Sequence, residues 1–169
     1  MTYLNSAPAE GIEILEGVPV PTAVSIAHEV ALTELNQLFD ATFSALGQAI
    51  ALGKIRPAGP AVCRYVRMNE PQGTCDVEVG FPVPEALPGP LAMGSIELVA
   101  SEIPAARLAR STHLGSYDRL PAAWETMMTT LAEQGYRPAG SCFEVYVTEP
   151  TPQADPATMR TDLYCPVAQ

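Results

Sequence analysis

The 169-residue sequence is short of basic residues, of histidine and of long apolar runs, and each shortage removes a class of function. Nine Lys and Arg against nineteen Asp and Glu give a formal charge of −10. Such a balance repels a phosphate backbone, so direct nucleic-acid binding is not expected. There are two histidines, and the four cysteines, Cys63, Cys75, Cys142 and Cys165, contain no C-x-x-C pair. That spacing indicates neither a zinc site nor a redox pair, and the expectation is buried, reduced thiols. A Ser-His-Asp order, a Gly-rich phosphate loop and H-E-x-x-H are all missing, so no metal and no cofactor is predicted. No apolar stretch approaches the roughly 18 residues of a membrane span. The first ten residues, "MTYLNSAPAE", lack the basic and apolar regions of a signal peptide. The expectation is a cytoplasmic protein with no membrane contact.

What the sequence does have is enough apolar content, 47%, for one well-buried core. It also repeats itself. "IEIL" at Ile12 to Leu15 returns 84 residues later as "IELV", and Val18-Pro19 and His28 return 85 residues later as Ile103-Pro104 and His113. "RPAG" at Arg56 returns 81 residues later at Arg137, as does Tyr65 at Tyr146. An ordered series of this kind points to a duplicated unit. The halves are read as residues 11–83 and 95–167, joined by a Pro-rich connector over 84–94, within one domain spanning 11–169. Residues 1–10 are read as a flexible tail.

Each half reads as strand, helix, strand, strand. The opening segments, residues 11–28 and 95–113, are apolar and interrupted by Pro, as in an edge-type strand with a bulge or bend. In the first helix Leu35, Leu38, Phe39, Thr42, Phe43, Leu46 and Ile50 follow three- and four-residue steps; in the second Leu120, Trp124, Met127, Met128 and Leu131 do the same. The RPAG segments are expected to stop the helices and lead into hairpins, turning through "MNEPQGT" and "EPTPQADPAT". The predicted fold class is α+β: a pseudo-two-fold duplication of a β-α-β-β unit, with an antiparallel sheet, two helices on one face and a ligand cleft between the halves.

One residue breaks the repeat. "RPAGPAVCRYV" in the first half carries Cys63 where "RPAGSCFEVYV" in the second carries Glu144. Alternation along a strand puts Phe143, Val145 and Val147 on one face and Glu144 and Tyr146 on the other, with Cys63 and Tyr65 as their counterparts. The apolar triplet is expected to face the helices, so that Glu144, Tyr146, Cys63 and Tyr65 face away from them into the cleft. Leaving an ionised Glu partly desolvated without a partner is costly. Three explanations stand open: a wet face or an ion pair with an Arg such as Arg160; a carboxylate that meets a cationic ligand lying against Tyr65, Tyr146, Tyr117 or Trp124; or a general acid or base.

The segment from Ala109 to Val147 followed by "MRTDLYCPV" resembles the GyrI-like small-molecule-binding family, which includes effector-binding domains of AraC- and MerR-type multidrug-responsive activators. The features that carry the resemblance are His113-x-Gly115-x-Tyr117, Trp124 on the helix, the Glu144-Val145-Tyr146 strand, Arg160-Thr161-Asp162-Leu163 and Pro166-Val167. The resemblance implies a cavity between two β-α-β-β units for lipophilic, often cationic, aromatic compounds, with an acidic residue at the position of Glu144. By matching position, the ligand-binding residues are Glu144, Tyr146, Trp124 and Tyr117. Tyr65 and Cys63 join them by internal symmetry and shared face, and Tyr164 is added from the final strand. Some members resemble hydrolases that open strained cyclopropane rings of DNA-alkylating compounds; in that case Glu144 and Tyr117 are the catalytic candidates. Founding members are named for gyrase inhibition, which makes protein partnering a third class. No helix-turn-helix segment is read at either end, so the favoured expectation is a stand-alone protein that sequesters or senses a lipophilic or cationic small molecule. Whether it is an enzyme and whether it forms a homodimer are left open.

Overall fold

The computed structural model describes residues 3–148 and 155–169. Its strands are β1 (Glu13–Gly17), β2 (Val20–Ala31), β3 (Ala61–Asn69), β4 (Thr74–Pro82), β5 (Leu91–Met93), β6 (Ile96–Ile103), β7 (Ala106–Leu114), β8 (Arg137–Pro138), β9 (Phe143–Tyr146) and β10 (Arg160–Ala168). The two helices are α1 (Leu35–Ala51) and α2 (Leu120–Glu133). Each is entered through a short 3-10 turn, Leu32–Glu34 and Tyr117–Arg119, and Pro121 sits in the first turn of α2, where its missing N–H has no partner to lose. The helices end before the RPAG segments, at Gly53 and Gly135. Both glycines adopt positive φ, 71° and 86°, which ends a helix at little steric expense.

The strands form one antiparallel sheet in the order β1-β7-β10-β9-β3-β4-β2-β6-β5, with β8 paired to β10. Read from either end to the centre, the first eight strands make a palindrome: β9 is the counterpart of β3, β10 of β4, β7 of β2 and β1 of β6. The repeat axis therefore passes between β9 and β3. Each long segment expected as a single bent strand is instead divided at its proline, Pro19 or Pro104, and the two pieces take different partners. β1 crosses to pair with β7 of the second half, and β6 crosses to pair with β2 of the first. A residue without an N–H interrupts the ladder, and the chain uses the interruption to change partners. The two halves are thus interlocked. Within the expected connector, β5 forms an edge strand on β6.

The sheet faces are the reverse of the expectation. Phe143, Val145 and Val147 do not face the helices; they join Val62, Val20, Ile103, Leu108 and Tyr164 in a core on the opposite face. α1 and α2 cover the face that carries Cys63, Tyr146 and Leu163. Periodicity divides a strand into two faces but does not say which apolar layer each meets, and here both are covered.

The N-terminal segment supplies part of the second cover, so the flexible-tail reading fails for residues 3–9. Leu4 is fully buried in that core, and the Tyr3 ring packs edge-on against Tyr164 at 5.7 Å. Arg160 donates to the Ser6 carbonyl at 2.8 Å, Arg110 donates to the Ala7 carbonyl, and Ala9 N donates to Thr112 Oγ1 at 2.8 Å. Of the second hairpin loop, residues 149–154 lie outside the described residues, and Pro156–Thr158 forms a 3-10 turn. No helix among the described residues is long and apolar enough to cross a membrane.

Candidate functional site

The central strand pair sets Cys63 directly opposite Glu144. Because these two positions are also equivalents in the repeat, the carboxylate sits at the axis itself. Two steps along from each lie Tyr65 and Tyr146, again equivalents. Both turn back to the same oxygen: Tyr146 Oη donates to Glu144 Oε1 at 2.7 Å and Tyr65 Oη at 3.1 Å. α2 brings a third donor over the sheet, with Trp124 Nε1 donating to Glu144 Oε2 at 2.7 Å. Glu144 is 3% exposed.

An aromatic shell closes over this set. Tyr146 is met edge-on by Tyr117 at 5.7 Å and Phe43 at 6.2 Å, and by Phe39 at 6.4 Å. Counted from the helix starts at Leu35 and Leu120, Phe39 holds in α1 the place Trp124 holds in α2. Phe39 and Phe43 were legible in the sequence as an apolar helix face, but not as site residues. The repeat was the signal that could have found them, through the equivalence of Phe39 with Trp124.

The partners of this carboxylate differ from those of the other buried carboxylate. Asp162, fully buried, is held by Arg110 Nη2 at 3.0 Å, Arg160 Nη2 at 2.8 Å and Thr112 Oγ1 at 2.9 Å. Glu144 has no ion pair among the described residues; its three donors are neutral. Arg160, the cation considered for it, is committed to Asp162 and to the Ser6 carbonyl of the N-terminal segment. Tyr117 Oη and Thr161 Oγ1 are buried without a hydrogen-bonding partner among the described residues, and Thr161 is the ladder partner of Tyr146. Buried polar atoms left unpaired are infrequent in native proteins, and here two border the site.

The neighbouring groups stay protonated. Burial first, then the charges of Cys63 and Glu144, pushes the Tyr65 and Tyr146 phenols far above the ordinary tyrosine value, and burial followed by Glu144 raises Tyr117. Burial and then Glu144 likewise raise the Cys63 thiol. At neutral pH the phenols therefore stay protonated, and Tyr65 and Tyr146 are donors to the carboxylate, not bases or nucleophiles.

Six of the seven predicted site residues, Glu144, Tyr146, Tyr65, Cys63, Trp124 and Tyr117, lie together on the helix-covered face. Tyr164 does not. It is the ladder partner of Phe143, on the far face, stacked on Phe143 at 4.8 Å. His28 and His113, at matching positions of the repeat, differ: His113 Nε2 meets the Ser116 carbonyl at 3.0 Å, whereas His28 is largely exposed and 3.5 Å from Asp76. Among the described residues no group of three or more His, Cys, Asp or Glu could hold a metal ion. Two surface clefts, of about 170 and 490 Å³, run beside His28 and include none of the predicted site residues. The Glu144 site is packed with aromatic side chains.

The description of the GyrI-like small molecule binding domain matches residues 17–168. The chain belongs to the GyrI-like family. The search of curated proteins gave no match. Among solved structures, the EcmrR C-terminal domain superposes with a TM-score of 0.71 at 20% identity, covering 94% of this chain and 97% of that one. In a complex of EcmrR with DNA the match covers 57% of that chain, with 18% identity and a TM-score of 0.71. A hydrolase encoded by lin2189 from Listeria innocua gives 0.63 at 12% identity, covering 96% and 94%. SAV2435 bound to tetraphenylphosphonium gives 0.63 at 8% identity, covering 94% of each chain. At these identities the likeness is one of fold. The palindromic sheet is thus that of a GyrI-like domain.

Proposed function

We propose that this GyrI-like chain binds lipophilic cationic or aromatic small molecules over the β3–β9 pair, with Glu144 neutralising the ligand's positive charge. The observation that carries the reading is a buried carboxylate with three neutral donors and no cation. Ionised and desolvated, such a group is destabilising until a counter-charge arrives. The aromatic faces of Trp124, Tyr117 and Tyr146 suit a desolvated cation, each contributing about 0.5–2 kcal/mol. Admission requires the shell to open. Tyr117 is the natural gate: it lies on the 3-10 turn ahead of α2, two residues after Gly115, whose φ is 130°. The protein then acts in the cytoplasm by sequestering the compound or by sensing it. Tetraphenylphosphonium, the compound in the SAV2435 structure, is a suitable first probe.

A thermal-shift panel tests the reading. Lipophilic cations should raise the midpoint of the wild-type protein, since a ligand at about 100 times its Kd adds roughly 2.7 kcal/mol. Neutral compounds of matched size should raise it much less. Equal shifts from both sets would reject a role for the charge.

A second reading rests on the same carboxylate. Glu144 held by two phenols can also serve as general base for water attacking a strained ring, with a protonated tyrosine as proton donor. It predicts a product heavier by one water and catalytic consumption of a cyclopropane-containing compound. Recovery of the compound unchanged, bound one to one, rejects turnover.

A further inference from the structure

The sequence places Cys142 and Cys165 far apart and without a redox motif, but the fold brings them side by side. In the β9–β10 ladder Glu144 pairs with Leu163 and Phe143 with Tyr164, so the next step sets Cys142 opposite Cys165. Both side chains pack in the cluster beneath α2. Antiparallel ladder partners have Cα atoms about 4.5–5.5 Å apart, within the roughly 4.4–6.8 Å that a disulfide spans. The other two cysteines have no such neighbour: Cys63 pairs with Glu144 and Val79, and Cys75 with Val30 and Met68.

We propose that Cys142 and Cys165 form a reversible dithiol–disulfide site, closed by a small disulfide oxidant such as oxidised glutathione. Cys142 is partly exposed and meets the oxidant first; Cys165 is fully buried and resolves. The Cys142 thiolate attacks one sulfur of the oxidant, forming a mixed disulfide and releasing one glutathione thiolate. The Cys165 thiolate then attacks the Cys142 sulfur, forming the intrachain bond and expelling the second glutathione. The two protein thiols lose two electrons and two protons, and the oxidant becomes two molecules of reduced glutathione. Accessibility sets this division of labour: the oxidant reaches Cys142, while Cys165 is closed to it until the mixed disulfide forms. The bond would staple β9 to β10 two steps from Glu144.

The test is exposure of the folded wild-type protein to oxidised glutathione, followed by alkylation, intact mass and peptide mapping. The expected result is loss of two of the four thiols, a mass lower by two hydrogens, and a cross-link between the peptides of Cys142 and Cys165 that dithiothreitol removes. Cys142→Ser, at a partly exposed position, should fold and form no cross-link. The proposal is overturned if the folded protein keeps all four thiols, if the cross-link maps to Cys63 or Cys75, or if glutathione remains on Cys142 without displacement.

Discussion

Cys63 and Glu144 face each other across the central strand pair and are also the same position in the two copies of the repeat. A carboxylate at a symmetry axis needs only one copy to serve both halves. Tyr65 and Tyr146, one from each half, both donate to its Oε1. The duplication supplies a symmetric cradle, and the single substitution of Glu for Cys turns it into a charged site. Trp124 then breaks the symmetry from α2, because its counterpart Phe39 has no hydrogen to donate.

Two buried carboxylates should respond unequally to neutralisation. In Glu144→Gln the two phenols can still donate to the amide oxygen, but the amide NH2 then meets the Trp124 N–H donor to donor, so the ligand-free protein should lose about 1–3 kcal/mol. Asp162→Asn leaves Arg110 and Arg160 facing an uncharged group and should lose about 3–5 kcal/mol. Denaturant melts of both variants check this. A Glu144→Gln variant as damaged as Asp162→Asn would mean that Glu144 holds the fold together.

Tyrosine deletions should sort by face. Tyr146→Phe and Tyr65→Phe each remove a donor to Glu144 and should weaken binding of a lipophilic cation about three- to tenfold, given roughly 0.5–1.5 kcal/mol per hydrogen bond. Tyr164→Phe, on the far face, should leave affinity unchanged. The emission of Trp124, the one tryptophan in the sequence, reports binding directly because its N–H touches the same carboxylate. Equal losses from all three variants would remove the distinction between the faces.

Alkaline pH should destabilise the fold through these phenols. Their folded values are raised: Tyr65, Tyr117 and Tyr146 chiefly by burial, and Tyr164 to about 12, again by burial first, with the Arg110 charge opposing. The native state thus retains protons that the unfolded chain gives up near pH 10. The stability is complete below about pH 10 and falls as pH rises toward the folded values. Phenolate absorbance should lag in the native protein and then appear together with unfolding. Early titration of these phenols with the fold intact would contradict it.

The duplication and the element order were legible because each left a local mark: repeated strings, and three- and four-residue apolar steps; Glu144 stood out as one charge in an apolar strand. The helix-covered face was assigned to the wrong layer. Phe143, Val145 and Val147 looked like the helix-facing set, and nothing local tells one apolar layer from another when the far side is capped by Leu4, Leu15 and Leu108. The exchange of β1 and β6 between halves was hidden for a similar reason. Pro19 and Pro104 announce a break in a strand but not a change of partner. Tyr164 was misplaced because its face depends on the β9–β10 register, and Cys142 and Cys165 went unpaired because only that register joins positions so far apart.

The most direct measurement is a calorimetric titration of tetraphenylphosphonium into the wild-type protein and Glu144→Gln at matched ionic strength. A buried, charge-assisted interaction of about 1.5–3 kcal/mol predicts that the variant binds some ten- to hundredfold more weakly, at an unchanged stoichiometry of one. Equal affinity for both forms would contradict the role given to Glu144.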